Sequence, residues 1–175
     1  MAIRIIVNDT SCLIDLRKGG LLTTALLLPY RFVVALPLIK AELHDFTTTD
    51  WDDLKARGLE VIDLDGIQVA HAMEFKSRYS GLSAYDCFSL VLTETMPDAV
   101  LLTGDQQLRK RAVSIGLDVH GILWVCEELD RHRKLAISEI ADALGRLLTD
   151  PLVFLPSAEV QKRIALLRDR LRKRP

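Results

Sequence analysis

Along most of the chain, short β-branched and aliphatic runs alternate with stretches whose apolar residues recur at helical spacing. That alternation predicts a parallel sheet sandwiched between helices, an α/β fold. Ile3–Asn8 reads as the first strand, apolar on both faces as a central strand covered by helices on two sides must be. Phe32–Leu36, Leu59–Leu64, Ala99–Thr103 and Leu117–His120 read as the strands that follow. Helices are predicted over Ser11–Arg17, Leu21–Leu28, Pro37 to about Phe46, Asp50–Arg57, Ile67–Arg78, Ser83–Glu94 and Gln106–Ile115. The punctuation agrees. Gly19-Gly20 and Gly116 stop helices, Pro37 suits a first helical turn where its missing N–H costs nothing, and Thr49 or Asp50 is the expected cap of the fourth helix.

After the fifth strand the pattern is purely helical, over Ile122–His132, Ala136–Leu148 and Ser157–Arg172. In the last of these Val160, Ile164, Leu167 and Leu171 form a stripe that must bury against the domain or a partner. Pro151 and Pro156 flank a hinge ahead of it. The expected organisation is an α/β domain over residues 1–133 and extra C-terminal helices over 134–175.

Composition adds bounds. With 175 residues, 49% apolar and 27% charged, the chain is globular. A chain of this length buries roughly 70% of its unfolded surface and needs no disulfide or structural metal to fold. No apolar run reaches the roughly 18 residues of a membrane span, so no membrane association is expected. Met1–Val7 carries Arg4 inside a strand-like run and has no small-residue cleavage site, so no signal peptide is expected. Cys12, Cys87 and Cys126 are odd in number, widely spaced and without a CxxC pair, which fits a reducing cytoplasm and small buried thiols rather than zinc or a disulfide framework. The net charge of −1 hides an asymmetry. Residues 159–175 carry seven Lys/Arg against Glu159 and Asp169, a surplus of five, which leaves the remainder at −6.

Four acids stand at one edge of the predicted sheet. Asp9 follows the first strand, Glu42 lies in the second turn after the second, Asp86 lies in the first turn of the helix starting at Ser83, and Asp105 follows the fourth strand. Each has a plain structural role available. Asp9 and Asp105 suit helix caps, Ser83-x-x-Asp86 is a capping box, and Glu42 is an ordinary helix glutamate. Topology raises their interest. All strands of a parallel sheet end on one rim, where ligands of open α/β sheets bind. If the first and fourth strands are neighbours, their acids converge, and converging carboxylates need a proton or cation between them. All-oxygen donors suit Mg²⁺ or Mn²⁺, whereas zinc lacks His or Cys at useful spacing. The hydroxyls Thr10, Ser11, Ser83 and Thr103 lie at the same rim to orient a carboxylate or a water. Such a site suits hydrolysis of a phosphodiester.

The ordered segments Ile-Val-Asn-Asp9-Thr-Ser, Pro37-Leu-Ile-Lys-Ala-Glu42-Leu, Leu82-Ser-Ala-Tyr-Asp86 and Leu-Leu-Thr103-Gly-Asp105 resemble the PIN domain, over about residues 3–125. Val119-His-Gly121-Ile-Leu is similar to the closing strand and helix of bacterial PIN proteins. The resemblance implies a Mg²⁺/Mn²⁺-dependent ribonuclease with Asp9, Glu42, Asp86 and Asp105 as the acidic, metal-holding and catalytic set. Thr103, with Thr10 or Ser11, would support it. It further implies an RNA substrate, a VapC-like toxin role with a small antitoxin protein as partner, and pairing of the chain into a homodimer. Two features pull against it: the long helical end, and a body too acidic to show an obvious RNA-binding surface. Arg109, Lys110 and Arg111 are the phosphate-contact candidates, against a plainly solvated helix face.

Two other classes compete. A non-catalytic PIN-fold module that binds nucleic acid or protein fits the long helical end. An α/β phosphotransfer domain with Asp9 as nucleophile fits less well, since Ser11 stands where such sites carry a second aspartate.

Overall fold

The computed structural model describes residues 3–41 and 46–173. The fold begins with β1 (Ile5–Asn8), α1 (Thr10–Lys18), α2 (Leu22–Ala25), β2 (Arg31–Ala35) and α3 (Leu36–Ala41). It continues through α4 (Thr48–Ala56), β3 (Leu59–Ile62), α5 (Gly66–Arg78), α6 (Ala84–Thr95), β4 (Ala99–Leu102), α7 (Gln106–Ser114) and β5 (Asp118–His120). Three helices close the chain: α8 (Ile122–Arg131), α9 (Ile137–Thr149) and α10 (Ser157–Arg172). The strands form one sheet in the order β3-β2-β1-β4-β5, and every pairing is parallel. The predicted α/β architecture is therefore the one observed.

The central strands explain the sheet. All four residues of β1 are buried, and Val33, Val34, Val100, Leu101 and Leu102 are fully covered. Helices pack on both faces, so the strands read as unbroken apolar runs. Chain order reverses between β1 and β4, with β2 and β3 on one side and β5 on the other. The β1–β4 register pairs Asn8 with Leu102, so Asp9 and Thr103 leave the sheet side by side. Asn8, 1% exposed, fixes that edge by donating its side-chain amide to the carbonyls of Ile6 and Val33 at 3.2 and 3.0 Å.

Differences from the sequence reading sit at element ends. The expected Leu21–Leu28 helix is only the single turn of α2, and Leu26 and Leu28 are buried in turns before Pro29. The cap of α4 is Thr47, chosen from three consecutive threonines because Asp50 completes a capping box with it. The end of the helix predicted to reach about Phe46, including Glu42, lies outside the described residues.

The C-terminal helices pack on the chain itself. In α9, Ile140, Ala141, Ala143, Leu144 and Leu147 are buried, and Leu147 lies so near Gly19 that a Cβ there would come within 3.1 Å of it. In α10, Val160, Ile164 and Leu167 are buried, and Arg163 and Arg170 pair with Glu127 and Asp130 of α8. Each buried aliphatic side chain contributes about 1.5–3 kcal/mol, whereas an exposed ion pair contributes at most about 1 kcal/mol. The apolar stripe therefore holds α10 and the arginines set its register. Among the described residues no helix is long and apolar enough to cross a membrane.

Candidate active site

The site is built from the ends of β1 and β4 upward. Asp9 occupies the N-cap position of α1 with extended backbone angles, yet its side chain makes no capping bond. Its Oδ2 instead accepts hydrogen bonds from Ser11 Oγ at 2.8 Å and Thr103 Oγ1 at 2.9 Å. Each hydroxyl has one proton to donate and spends it on Asp9. Their acceptor sides are filled by the backbone: Gly104 N–H donates to Ser11 Oγ and Asp105 N–H to Thr103 Oγ1, both at 3.0 Å. Two strand ends and one carboxylate thus form a closed hydrogen-bond ladder.

Asp86 and Asp105 stand above this floor and serve as caps. Asp86 Oδ2 accepts from Ser83 N–H at 2.6 Å while Ser83 Oγ accepts from Asp86 N–H at 3.0 Å. Asp105 Oδ1 accepts from Leu108 N–H at 2.7 Å. Each cap uses one carboxylate oxygen. Depth grades the three acids: Asp9 is buried, Asp86 half-buried and Asp105 exposed.

Burial pushes the Asp9 carboxyl up to about 6, against the lowering effect of Ser11, Thr103 and the Thr10 backbone N–H, and the charge of Asp86 adds to the rise. Asp86 is also raised, chiefly by burial, with the Ser83 bonds opposing and the Asp105 charge adding. Asp9 feels the charge of Asp86 and Asp86 that of Asp105, so the three acids are electrostatically linked. Among the described residues, however, no three His, Cys, Asp or Glu side chains form a group placed to hold a metal ion. The donor chemistry, all oxygen and mutually repelling, fits a hard divalent cation. Its enclosure is not complete within these three.

Of the predicted supporting residues, Ser11 and Thr103 bond to Asp9, and Thr10 is buried in the first turn of α1. Arg109 is not free for phosphate. It is turned back onto the carbonyls of Thr103 and Val119, at 2.9 and 3.3 Å, and braces the β4–β5 edge. His120 stacks on Trp124 and faces Asp118, and Glu94 lies 3.6 Å from His71, away from the rim. The three cysteines are free and buried, and burial raises each thiol, which disfavours the thiolate.

One acid was missed. Asp15 lies one turn beyond Ser11 on α1, and its Oδ2 would be 3.5 Å from a Cβ at Gly104. Burial raises it to about 6, with Lys18 lowering and Asp150 adding. The signal was present in the four-residue spacing from Ser11, which places both on one helix face. Asp15 stands neither at a strand end nor at a cap, so nothing else local sets it apart from a solvated helix acid.

A family model described as a PIN domain matches residues 5–169 of this sequence. The chain belongs to the PIN-domain family, and the match extends through α9 into α10. The fold is thus of a nuclease type, in a family whose members are commonly nucleases. No curated protein matches the chain.

Proposed function

We propose that this protein is a Mg²⁺- or Mn²⁺-dependent endoribonuclease acting in the cytoplasm. The observation that carries the reading is Asp9, a buried carboxylate at the β1–β4 switch point that forgoes helix capping and is held by Ser11 and Thr103. Asp9, Asp86 and Asp105, together with Glu42 from outside the described residues, would hold the cation, which when bound offsets their repulsion and makes a water nucleophilic near neutral pH. Ser11 and Thr103 keep Asp9 Oδ2 fixed, so no reorganisation of that carboxylate is needed during the reaction. The amino ends of α6 and α7 lie at the same rim and favour a phosphate there.

The test is cleavage of a labelled RNA with Mg²⁺ or Mn²⁺. Asp9→Asn and Asp86→Asn should each lower the rate at least about a hundredfold, the scale of losing one charge-stabilising group. Unchanged cleavage in both would remove the site. The narrower proposal is a toxin restrained by a small antitoxin and paired with a second copy of itself. Induced expression should then arrest growth, Asp9→Asn should relieve the arrest, and gel filtration should give twice the chain mass.

A second reading is favoured by the capping bonds of Asp86 and Asp105 and by the open donor set among the described residues: a PIN-fold module that binds without cutting. Calorimetry separates the two, since no heat on Mn²⁺ addition with RNA binding intact supports the second.

A further inference from the structure

Beside the acids lies a groove of different character. It runs between the C-terminal end of α5, the following loop and the outer face of α7, has a volume of about 470 Å³, and is lined by Arg78, Tyr79, Gln107, Lys110 and Arg111 with no carboxylate. Arg78 and Lys110 are exposed and make no ion pair among the described residues. The Arg111 guanidinium lies 3.4 Å over the Tyr79 ring, which holds it flat at the groove wall. Other cations are paired: Arg4, Arg31, Arg57, Arg131, Arg163 and Arg170 each face an acid.

The groove is continuous with the site. Leu82, at its edge, precedes the Ser83–Asp86 capping box. Gln107 lines both the groove and a neighbouring cavity of about 460 Å³ that contains Ser11, Asp15 and Asp105. That cavity is also lined by Leu152 and Phe154 of the α9–α10 connection, which are 72% and 82% exposed. Gln107 therefore joins a cationic groove to a cavity that holds acids and an exposed aromatic ring.

We infer that this surface is the track for a single-stranded RNA, with phosphates on Arg78, Lys110 and Arg111 and an unpaired base against Phe154. The inference rests on the nuclease reading for what happens between the two ends, but it concerns binding and is testable without cleavage. Unspent cations in a groove free of carboxylates suit phosphates, which bind with release of counterions. A solvent-facing ring suits an unpaired base, since a paired base in a duplex has no free face to offer it.

The experiment is fluorescence anisotropy of an unstructured, 5′-labelled single-stranded RNA on the full chain carrying Asp9→Asn, with chelator present so that nothing is cut. Adding Arg78→Gln and Lys110→Gln should weaken binding about tenfold and reduce the salt slope by about 1.4, the loss of two phosphate contacts on a single strand. Phe154→Ala should weaken binding about five- to tenfold with the slope unchanged. Lys162→Gln with Arg168→Gln, exposed on α10, should change neither. Equal effects from the α10 pair, or no effect of the groove pair on affinity and slope, would overturn the track, as would absence of RNA binding by the Asp9→Asn parent. Binding as predicted without cleavage by the unmodified chain would leave the track standing and remove the nuclease reading. Cleavage with unaltered binding in the groove variants would do the reverse.

Discussion

Asp9 and Asp105 occupy the same kind of place. Each follows a central strand, each has extended backbone angles, and each stands at the N-cap position of a helix. They are used in opposite ways. Asp105, at the exposed mouth, caps α7 and is worth about 1 kcal/mol as any aspartate cap is. Asp9, 4% exposed, leaves α1 uncapped and takes two hydroxyls that have no other proton to give. A cap is favourable on its own account, whereas an acid whose proton is held to about 6 weakens the fold whenever it is ionised. Local sequence puts both residues in the same category, and depth with cross-strand neighbours separates them. An acid kept where it harms stability is the stronger mark of function.

The largest effect that would break this contrast is on stability at the Asp9 end. Its folded pKa, about 6, lies above the ordinary 3.8. The contribution of its proton is complete below pH 3.8 and is lost as pH rises through about 6. With chelator present, wild type should lose about 3 kcal/mol from this residue across that window. Asp9→Asn cannot titrate there, so urea melts from pH 4.5 to 7.5 should show the variant gaining on wild type as pH rises. Asp15 titrates in the same window in both proteins and cancels. Parallel pH profiles would mean that Asp9 is ionised in the fold at no cost. Mn²⁺ at pH 7 should stabilise wild type and leave Asp9→Asn unmoved.

Thr103→Val sharpens the comparison at intermediate scale. It removes a donor to Asp9 and the acceptor for Asp105 N–H while keeping the shape. We expect a stability loss of roughly 1–3 kcal/mol at pH 7 and a cleavage loss of about 10- to 100-fold, the scale for a residue that orients a metal-binding group. Normal activity with lowered stability would reduce the ladder to a purely structural device.

The smallest effect separates the two duties of Asp105. Asn caps about as well as Asp, so Asp105→Asn should melt within a few tenths of a kcal/mol of wild type, whereas Asp105→Ala should lose about 1 kcal/mol. If both lose cleavage equally, the charge matters to the reaction. If only the Ala variant loses it, the residue is a cap alone.

Much of the fold was legible because parallel strands covered on both faces leave continuous apolar runs, and because α10 carries a clean stripe: its bounds, Ser157–Arg172, match the prediction. Asp9 and Asp105 were legible because they follow strands, and Asp86 because Ser83-x-x-Asp86 marks a helix start. What was hidden depended on distant partners. Ser11 and Thr103 bond to one oxygen only because β1 pairs β4 in one register. The positive surplus of residues 159–175 is partly neutralised by the fold, since Arg163 and Arg170 turn to α8 and Lys173 to Asp169. Lys110 and Arg111 stand in a charge run visible in the sequence, but only folding joins them to Arg78 and Tyr79 at the end of α5 in one groove.

Gly121 has no side chain to contribute, yet it controls the Asp9 ladder at one remove. A methyl group there would sit 2.9 Å from Arg109 Nη2 and 3.4 Å from the Thr103 carbonyl that this nitrogen serves. The guanidinium would have to swing out, stranding that carbonyl directly behind the hydroxyl that grips Asp9. An arginine at 109 in this pose therefore requires the smallest residue at 121, whereas glycine at 121 places no demand on position 109.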